Sequence, residues 1–353
     1  MISRLSRRRA LGFGGAACAA ALLNGCATAP TRAGLYLAAP DGAPRWITDT
    51  IGPPAWSPNG QNLAWGDEHG LSVWSADGDR VAQLATTPVV GRPAWSPDGS
   101  AVAFMDPHSR QLQRLEVRSG STSPLAKLFE GFDTALRPPV MTRGGPAWSP
   151  DGSQLAFVCW DGYGDELCIV RADGSKRDQL TTLGEMEQRA GKAARSSVTA
   201  MAWSPDNTAL AVAVQAEAQG AAAGIFRVDL SLRSGNRLTK LTANAPMIWD
   251  FRSNDLVFSA RVEGRSDVYR LSAEGGQPNS MTSNVPEGGR EPTLALDGAL
   301  ACVSGTRIAV IRPGSPDVAY LEEAGLAGAS PALNNDGKQI AFVALPRPID
   351  QYP

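Results

Sequence analysis

Two histidines are the strongest candidates for acid–base chemistry in this 353-residue sequence. His69 lies in the segment GDEHG and His108 lies in the segment MDPHS. Imidazole can transfer protons near neutral pH, or it can bind a metal ion. A metal site built from histidines usually needs more ligands than these two provide. We therefore expect both residues to be exposed in turns, and a catalytic pair is the alternative.

Acidic residues cluster in the segment WDGYGDEL. Its Asp161, Asp165 and Glu166 offer the oxygen ligands that calcium prefers. Their spacing does not match a known calcium loop, so we predict a hairpin turn with solvated acids and no metal site. Asp161 and Tyr163 are nevertheless candidates for binding a partner.

Three arginines precede prolines that open similar segments. Arg92, Arg143 and Arg290 each lie one to three residues before such a proline. A ring of guanidinium groups could bind a carboxylate or a phosphate. We expect instead solvated rim charge paired with acids such as Glu291, and the ring is the alternative.

Other catalytic motifs are missing from the sequence. It contains no Gly-x-Ser-x-Gly turn, CxxC pair, HExxH motif or phosphate-binding glycine loop. The formal net charge of −2 argues against a nucleic-acid partner. We predict a protein that is not an enzyme and has no cofactor.

Three cysteines lie in predicted strands. Cys159 and Cys168 flank one hairpin and could form a cross-strand disulfide in an oxidising compartment, or they could be buried thiols. Cys302 lies in an apolar strand, where we expect it to contribute to packing.

The first 25 residues have the pattern of an export signal, with a basic start and a short apolar stretch. The sequence Leu-Asn-Gly before Cys26 resembles the lipobox of bacterial lipoproteins, in which the cysteine is acylated. A plain cleaved signal is the alternative. The pair Arg7-Arg8 resembles a twin-arginine signal but lacks the usual phenylalanine at Ala10. Residues 26–34 would then form a tether, and acyl chains would attach the protein to a membrane of the cell envelope.

A repeated phrase indicates the fold. PAWSPDGSAVAF begins at Pro93 and PAWSPDGSQLAF at Pro146. Five further copies, some degenerate, begin at Pro54, Met201, Pro246, Glu291 and Ser330. Each copy predicts two short strands joined by a tight turn, because Pro fixes φ and Gly accepts a positive φ.

A second strand–turn–strand phrase follows six of the copies. The seventh copy of this second phrase lies near the N-terminus, at 35–50, whereas the last copy of the first phrase lies near the C-terminus. Together the two would complete one four-stranded sheet. This arrangement predicts an all-β fold, a seven-bladed β-propeller over residues 35–345 with a tail at 346–353, and six or eight blades as the alternative. We expect the tryptophans to fill the interfaces between blades: Trp56, Trp95, Trp148, Trp203 and Trp249.

The repeated WSPDG segment followed by a short apolar strand resembles the TolB-type, WD40-like (PD40) propeller repeat of bacteria. The resemblance covers nearly all of the chain after the signal. It departs from TolB itself, which has six blades and an additional α/β domain. It implies a relative that binds protein in the cell envelope.

Three long connections, at 129–145, 184–200 and 215–224, fall on the same predicted face. Long loops on one face of a regular scaffold often bind partners, although neutral length variation is the alternative. We predict a monomeric, lipid-anchored propeller that binds an envelope protein or a cell-wall polymer through this face. The alternatives are a saccharide lyase or hydrolase using His69, His108 and loop acids, and an accessory lipoprotein of a signalling or secretion complex.

Overall fold

The computed structural model describes residues 32–129, 145–161, 164–183, 196–216, 223–322 and 326–346. These residues form seven four-stranded antiparallel sheets. The strands are β1 (Gly34–Ala38), β2 (Arg45–Thr48), β3 (Ala55–Trp56), β4 (Asn62–Asp67), β5 (Gly70–Ser75), β6 (Arg80–Ala85), β7 (Val90–Trp95), β8 (Ala101–Asp106), β9 (Gln111–Glu116), β10 (Thr122–Lys127), β11 (Ala147–Trp148), β12 (Gln154–Trp160), β13 (Asp165–Arg171), β14 (Arg177–Gln179), β15 (Ser196–Trp203), β16 (Ala209–Ala216), β17 (Gly224–Asp229), β18 (Ser234–Thr239), β19 (Asn244–Asp250), β20 (Asp255–Val262), β21 (Arg265–Ser272), β22 (Asn279–Ser280), β23 (Arg290–Leu294), β24 (Leu300–Ser304), β25 (Arg307–Ile311), β26 (Val318–Leu321), β27 (Leu326–Leu333) and β28 (Ile340–Pro346).

The seven sheets are the blades of a β-propeller. Blades 1 to 6 are consecutive groups of four strands from β3 to β26, and blade 7 combines β27, β28, β1 and β2. We call the four strands of a blade A to D in that order. The A strands of neighbouring blades contact one another all the way round, from β3 to β27 and back to β3. The A strands therefore surround the central axis, and the prediction of seven blades is confirmed.

The two ends of the described chain meet within blade 7. Strand β1 pairs antiparallel with β28, and Leu35 lies opposite Val343 while Ala38 lies opposite Ile340. Strand β2 then pairs with β1 on the outer side. This pairing confirms the predicted closure and leaves no unpaired sheet edge at the seam between the two ends of the chain. Within the described ranges, no helix is both long and apolar enough to cross a lipid bilayer.

The WSPDG turns repeat one hydrogen-bond pattern. In blade 2, the Ser96 hydroxyl donates to Asp98 Oδ1 at 2.6 Å and accepts the Ala101 backbone N–H at 2.9 Å. The hydrogen bonds from Ser96 and Ser100 lower the pKa of Asp98 to about 2. Gly99 follows with a φ of 72°, as predicted for the glycine of this turn. Local side-chain chemistry therefore fixes the conformation of the turn.

The tryptophans link the blades to one another. The Trp95 indole N–H donates to the Ala55 carbonyl of the preceding blade at 2.9 Å, and Trp148 and Trp203 make the equivalent bond. Trp56 makes the same bond across the seam to Ala332 of blade 7. The exception is Trp249, which packs between blades 4 and 5 but donates within its own turn to Asn254.

Candidate functional site

Strand alternation divides the loops between two faces of the propeller. The B–C turns and the connections between blades lie on one face, which we call the connection face. The A–B and C–D turns lie on the other, which we call the turn face. Much of the predicted binding surface falls outside the described residues: 130–144 with Arg143, 162–163 with Tyr163, 184–195 and 217–222.

The innermost strands bulge beside the central axis. The pairing register shifts between Val90 and Ala94 in blade 2, and similar shifts occur in blades 4 to 7. In blades 6 and 7, Glu291 and Ser330 have φ values of 53° and 49°. Such values are rare for residues other than glycine, and they concentrate at functional sites.

Arg92, Glu291 and Ser330 occupy equivalent repeat positions on three A strands, and we call these residues the axial cluster. Arg92 Nη2 donates to the Pro331 carbonyl of blade 7 at 3.1 Å. Glu291 Oε2 accepts the Ser330 backbone N–H at 2.8 Å. Arg92 and Glu291, from blades 2 and 6, therefore both reach the A strand of blade 7.

The axial cluster has an unusual electrostatic setting. Burial lowers the pKa of Arg92, and the charge of Glu291 partly offsets this shift. The guanidinium stays protonated, because its pKa begins far above neutral pH. Its Nε and Nη1 donate to no acceptor within the described residues. These donors can receive a carboxylate, a carbonyl or a phosphate oxygen from a ligand.

Arg290 occupies a position different from that of Arg92. Its side chain is exposed, and its Nη2 lies 3.5 Å from the Gly305 carbonyl in the B–C turn of its own blade. The structure thus brings Arg92 together with Glu291 and not with Arg290. The bulge explains the difference, because it changes which residue of the strand faces the axis.

The two histidines lie on neighbouring B–C turns, where both side chains are exposed. The backbone N–H groups of His69 and His108 donate to Asp67 and Asp106, each at 2.8 Å. His69 Nε2 lies 3.7 Å from Glu68 Oε1. Among the described residues, no group of three or more histidines, cysteines and acids has the geometry to hold a metal ion.

The acids of blade 3 differ from the expectation of a solvated cluster. Glu166 is fully buried, and Thr181 Oγ1 donates to its Oε2 at 2.5 Å. The same hydroxyl accepts the Leu167 backbone N–H at 2.9 Å. Asp161 accepts the Gly164 backbone N–H at 3.1 Å. The expectation was wrong for Glu166, because a buried hydroxyl satisfies this carboxylate in place of water.

The same arrangement recurs in blade 5, where it was missed from the sequence. Thr282 Oγ1 donates to Asp267 Oδ1 at 2.7 Å and accepts the Val268 backbone N–H at 3.0 Å. In both blades the acid precedes the threonine by 15 residues. This spacing was the signal that could have revealed a structural role for Glu166.

The structure places a disulfide between Cys159 and Cys168, with a Cα–Cα distance of 5.9 Å. Both residues are buried between blades 2 and 3. Cys302 is a buried free thiol, and burial raises its pKa to about 12, with a smaller contribution from Asp267. A thiol with such a pKa is inert as a nucleophile near neutral pH.

No family model matches the sequence, and no curated protein matches it. Solved structures do match. TolB from Acinetobacter baumannii is 16% identical over 88% of this chain with a TM-score of 0.48, and the chain spans 63% of its length. A putative TolB from Agrobacterium tumefaciens is 18% identical, covering 78% of this chain and 97% of its own, with a TM-score of 0.54. An oligogalacturonate lyase from Vibrio parahaemolyticus is 9% identical, covering 90% and 93%, with a TM-score of 0.59.

The TM-scores above 0.5 show that these last two proteins share the propeller fold with this chain. The similar structures include a putative TolB and a lyase, so the shared fold does not determine the function. Function must therefore be argued from the residues at the site.

Proposed function

We propose that this protein is a non-catalytic binding propeller of a bacterial cell envelope, held at a membrane by acyl chains on Cys26. Its partner would be an envelope protein or a cell-wall polymer that binds at the connection face and presents a carboxylate to the central channel. The observation that supports this most directly is Arg92, a partly buried guanidinium with donors left for a ligand.

The axial cluster has the chemistry to select such a ligand. Water competes weakly for a partly buried guanidinium, so a carboxylate pairs with it more strongly than with an exposed arginine. Glu291 is held by the Ser330 backbone N–H, and its charge repels a bare anion. A ligand that carries a hydrogen-bond donor beside its carboxylate satisfies both groups. Peptides and peptide-bearing wall polymers have this combination.

Chemical crosslinking in intact envelopes tests the proposal. We expect Arg92→Met to lower the yield of the crosslinked partner at least about tenfold, because the substitution removes one charge-assisted hydrogen bond to the partner. Arg92→Lys keeps the charge without the planar fork and should give an intermediate yield. Arg118→Met is the matched control, because Arg118 is an exposed arginine on the turn face. An unchanged yield with Arg92→Met, with unfolding midpoints matched, would contradict the proposed anchor.

Membrane attachment is tested separately. Replacing the acylated residue by Cys26→Ser should move the protein from the membrane fraction to the soluble fraction of a lysate, because one acidic propeller has little other affinity for lipid. Retention of the variant in the membrane fraction would count against a lipid anchor. The identity of the crosslinked partner then distinguishes a wall or envelope protein from a signalling or secretion complex.

A second candidate is a saccharide lyase, which the similarity to the oligogalacturonate lyase structure favours. His69 and His108 would supply the base, since both lie exposed on the connection face. Incubation with oligogalacturonate, with and without divalent metal ions, should then release an unsaturated product that absorbs ultraviolet light. Turnover that is lost in His108→Ala would support this candidate and contradict the non-catalytic proposal.

A further inference from the structure

The turn face is irregular at blades 5 and 6. One position of the A–B turn holds proline in the first four blades, whereas Phe251 and Leu296 occupy it in blades 5 and 6. Each of these side chains is 56% exposed. The two turns contact each other, since a Cβ on Gly298 would lie 2.8 Å from Arg252 Nη2. Two large apolar side chains thus lie exposed on adjacent turns.

A groove of about 290 Å³ adjoins these turns. Its apolar lining includes Met281, Leu300 and Ile311, and its charged lining includes Arg252, Arg270 and Arg312. We call it the blade 5–6 groove. Aromatic residues and arginine are the types most often enriched at the centres of protein interfaces.

The charges of the groove are only partly compensated. Arg252 and Arg270 share the buried carboxylate of Asp250, at 3.4 and 3.3 Å, and Arg270 also pairs with Asp255 at 3.3 Å. Arg312 is exposed and has no ion pair within the described part of the chain. Asp297 also lines the groove, and its Oδ1 accepts the Ala299 backbone N–H at 2.8 Å. Arg312 therefore gives the groove a free positive charge next to apolar surface.

We propose that the blade 5–6 groove binds an acidic peptide segment of a partner protein, in which carboxylates alternate with aromatic or aliphatic side chains. The peptide carboxylates would pair with Arg312 and with the exposed parts of Arg252, while its apolar side chains would pack against Phe251 and Leu296. This surface lies on the face opposite the axial cluster. The protein would therefore have a second binding site that works independently of the connection face.

Fluorescence anisotropy with the purified full-length chain tests the proposal. The probe is a fluorescein-labelled octapeptide with the repeat Glu-Phe-Asp-Leu. We expect saturable binding that weakens at least about tenfold for the repeat Gln-Phe-Asn-Leu, which lacks the charges, and for Glu-Ser-Asp-Ser, which lacks the apolar side chains. Equal binding of the uncharged peptide would overturn the proposal, and so would full displacement of the probe by millimolar inorganic phosphate.

Matched variants locate the site. Arg312→Ser and Phe251→Ser should each weaken binding of the probe at least about tenfold, because each removes one class of contact. Arg118→Ser and Leu232→Ser are controls, since Arg118 and the 73% exposed Leu232 lie on turn-face loops of other blades. Equal losses in the controls, or none in Arg312→Ser, would overturn the assignment.

Two further measurements distinguish peptide binding in the groove from binding at the axial cluster and from dimer formation. Arg312→Ser should weaken binding of the probe in the Arg92→Met background as much as in the wild type, so failure of the axial proposal and failure of this one are distinguishable. Sedimentation of the wild-type chain should show a monomer. A dimer that Phe251→Ser dissociates would show that a second copy covers the groove, and would overturn the peptide proposal.

Discussion

The inter-blade hydrogen bonds of the tryptophans give a quantitative prediction. Trp95 is 8% exposed, and its indole N–H donates to the Ala55 carbonyl of the preceding blade. The substitution Trp95→Phe keeps an aromatic ring at the interface but removes the donor. The Ala55 carbonyl loses this partner, while the surrounding apolar contacts change little.

The expected size of the effect follows from two contributions. Leaving a buried acceptor without its donor costs about 1–3 kcal/mol. The smaller ring leaves unfilled volume, which adds about 1 kcal/mol. We therefore expect Trp95→Phe to lower the free energy of unfolding by about 2–4 kcal/mol. With an m-value of roughly 3 kcal/mol/M, the urea midpoint would fall by about 1 M.

Trp46 provides a matched control within the same protein. Its indole nitrogen is buried without a hydrogen-bond partner among the described residues, and the Arg32 guanidinium lies 4.0 Å from its ring centroid. Trp46→Phe removes an unsatisfied donor, which offsets the smaller ring and a weaker cation–π contact of about 0.5–1 kcal/mol. We expect this variant to remain within about 1 kcal/mol of the wild type.

Urea unfolding followed by circular dichroism measures both variants. Trp148→Phe and Trp203→Phe should shift the midpoint as Trp95→Phe does, because they remove the equivalent bond. If Trp46→Phe destabilises the protein as much as Trp95→Phe, ring volume alone accounts for both results. The inter-blade hydrogen bond would then have no measurable role.

Three further predictions concern local features of the fold. Gly145→Ala should destabilise the protein by about 2 kcal/mol in thermal melts, because a Cβ there would lie 2.2 Å from the Arg92 carbonyl oxygen. The folded pKa of Asp98 lies near 2, below its ordinary 3.8, so its stabilising contribution is complete above about pH 4 and is lost as the pH falls to about 2. Asp98→Asn should make the urea midpoint less dependent on pH over that range. Replacing Cys159 and Cys168 together by alanine should cost roughly 2–3 kcal/mol.

Each of these predictions has its own control. Gly120→Ala meets nothing within 4 Å and tests only the positive φ, so it should cost less than Gly145→Ala. Ser96→Ala should reduce the pH dependence in part, because the Ser96 hydroxyl is the largest cause of the lowered pKa and the hydrogen bonds of Ser100 remain. A reducing agent should lower the stability of the wild type and leave that of the double alanine variant unchanged. A wild type whose stability does not change on reduction would contradict the role of the disulfide.

The fold could be predicted because its rules are local and repeated. The Ser, Pro, Asp and Gly of each turn act on their own backbone, so every copy in the sequence indicates the same hairpin. The unmatched phrases at the two ends then require pairing of Leu35 with the last strand, and the structure confirms this closure. Repetition gave several independent observations of one rule, which a single hairpin would not provide.

The axial cluster could not be predicted, because it depends on bulges that have no clear sequence signal. The sequence grouped Arg92 with Arg290 by their distance from a proline. In the structure, Glu291 is the residue equivalent to Arg92, and Arg290 lies one position earlier, at an exposed site. A shift of one residue reverses the side of a strand that faces the axis. Residue type and approximate spacing do not determine that shift.

The degenerate copies of the phrase in blades 5 and 6 place two apolar side chains on the surface of the turn face. Blades 5 and 6 match the WSPDG phrase poorly, because Phe251 and Leu296 replace its proline. Neither residue contributes to the core in compensation, since both side chains are more than half exposed. An exposed phenylalanine or leucine in a tight turn stabilises the folded chain little, and it increases the risk of aggregation. Two such residues lie on adjacent turns beside the free charge of Arg312, and the proposed peptide would cover both of them. Two poorly matching copies of the phrase thus supply the apolar surface that the proposed peptide site requires.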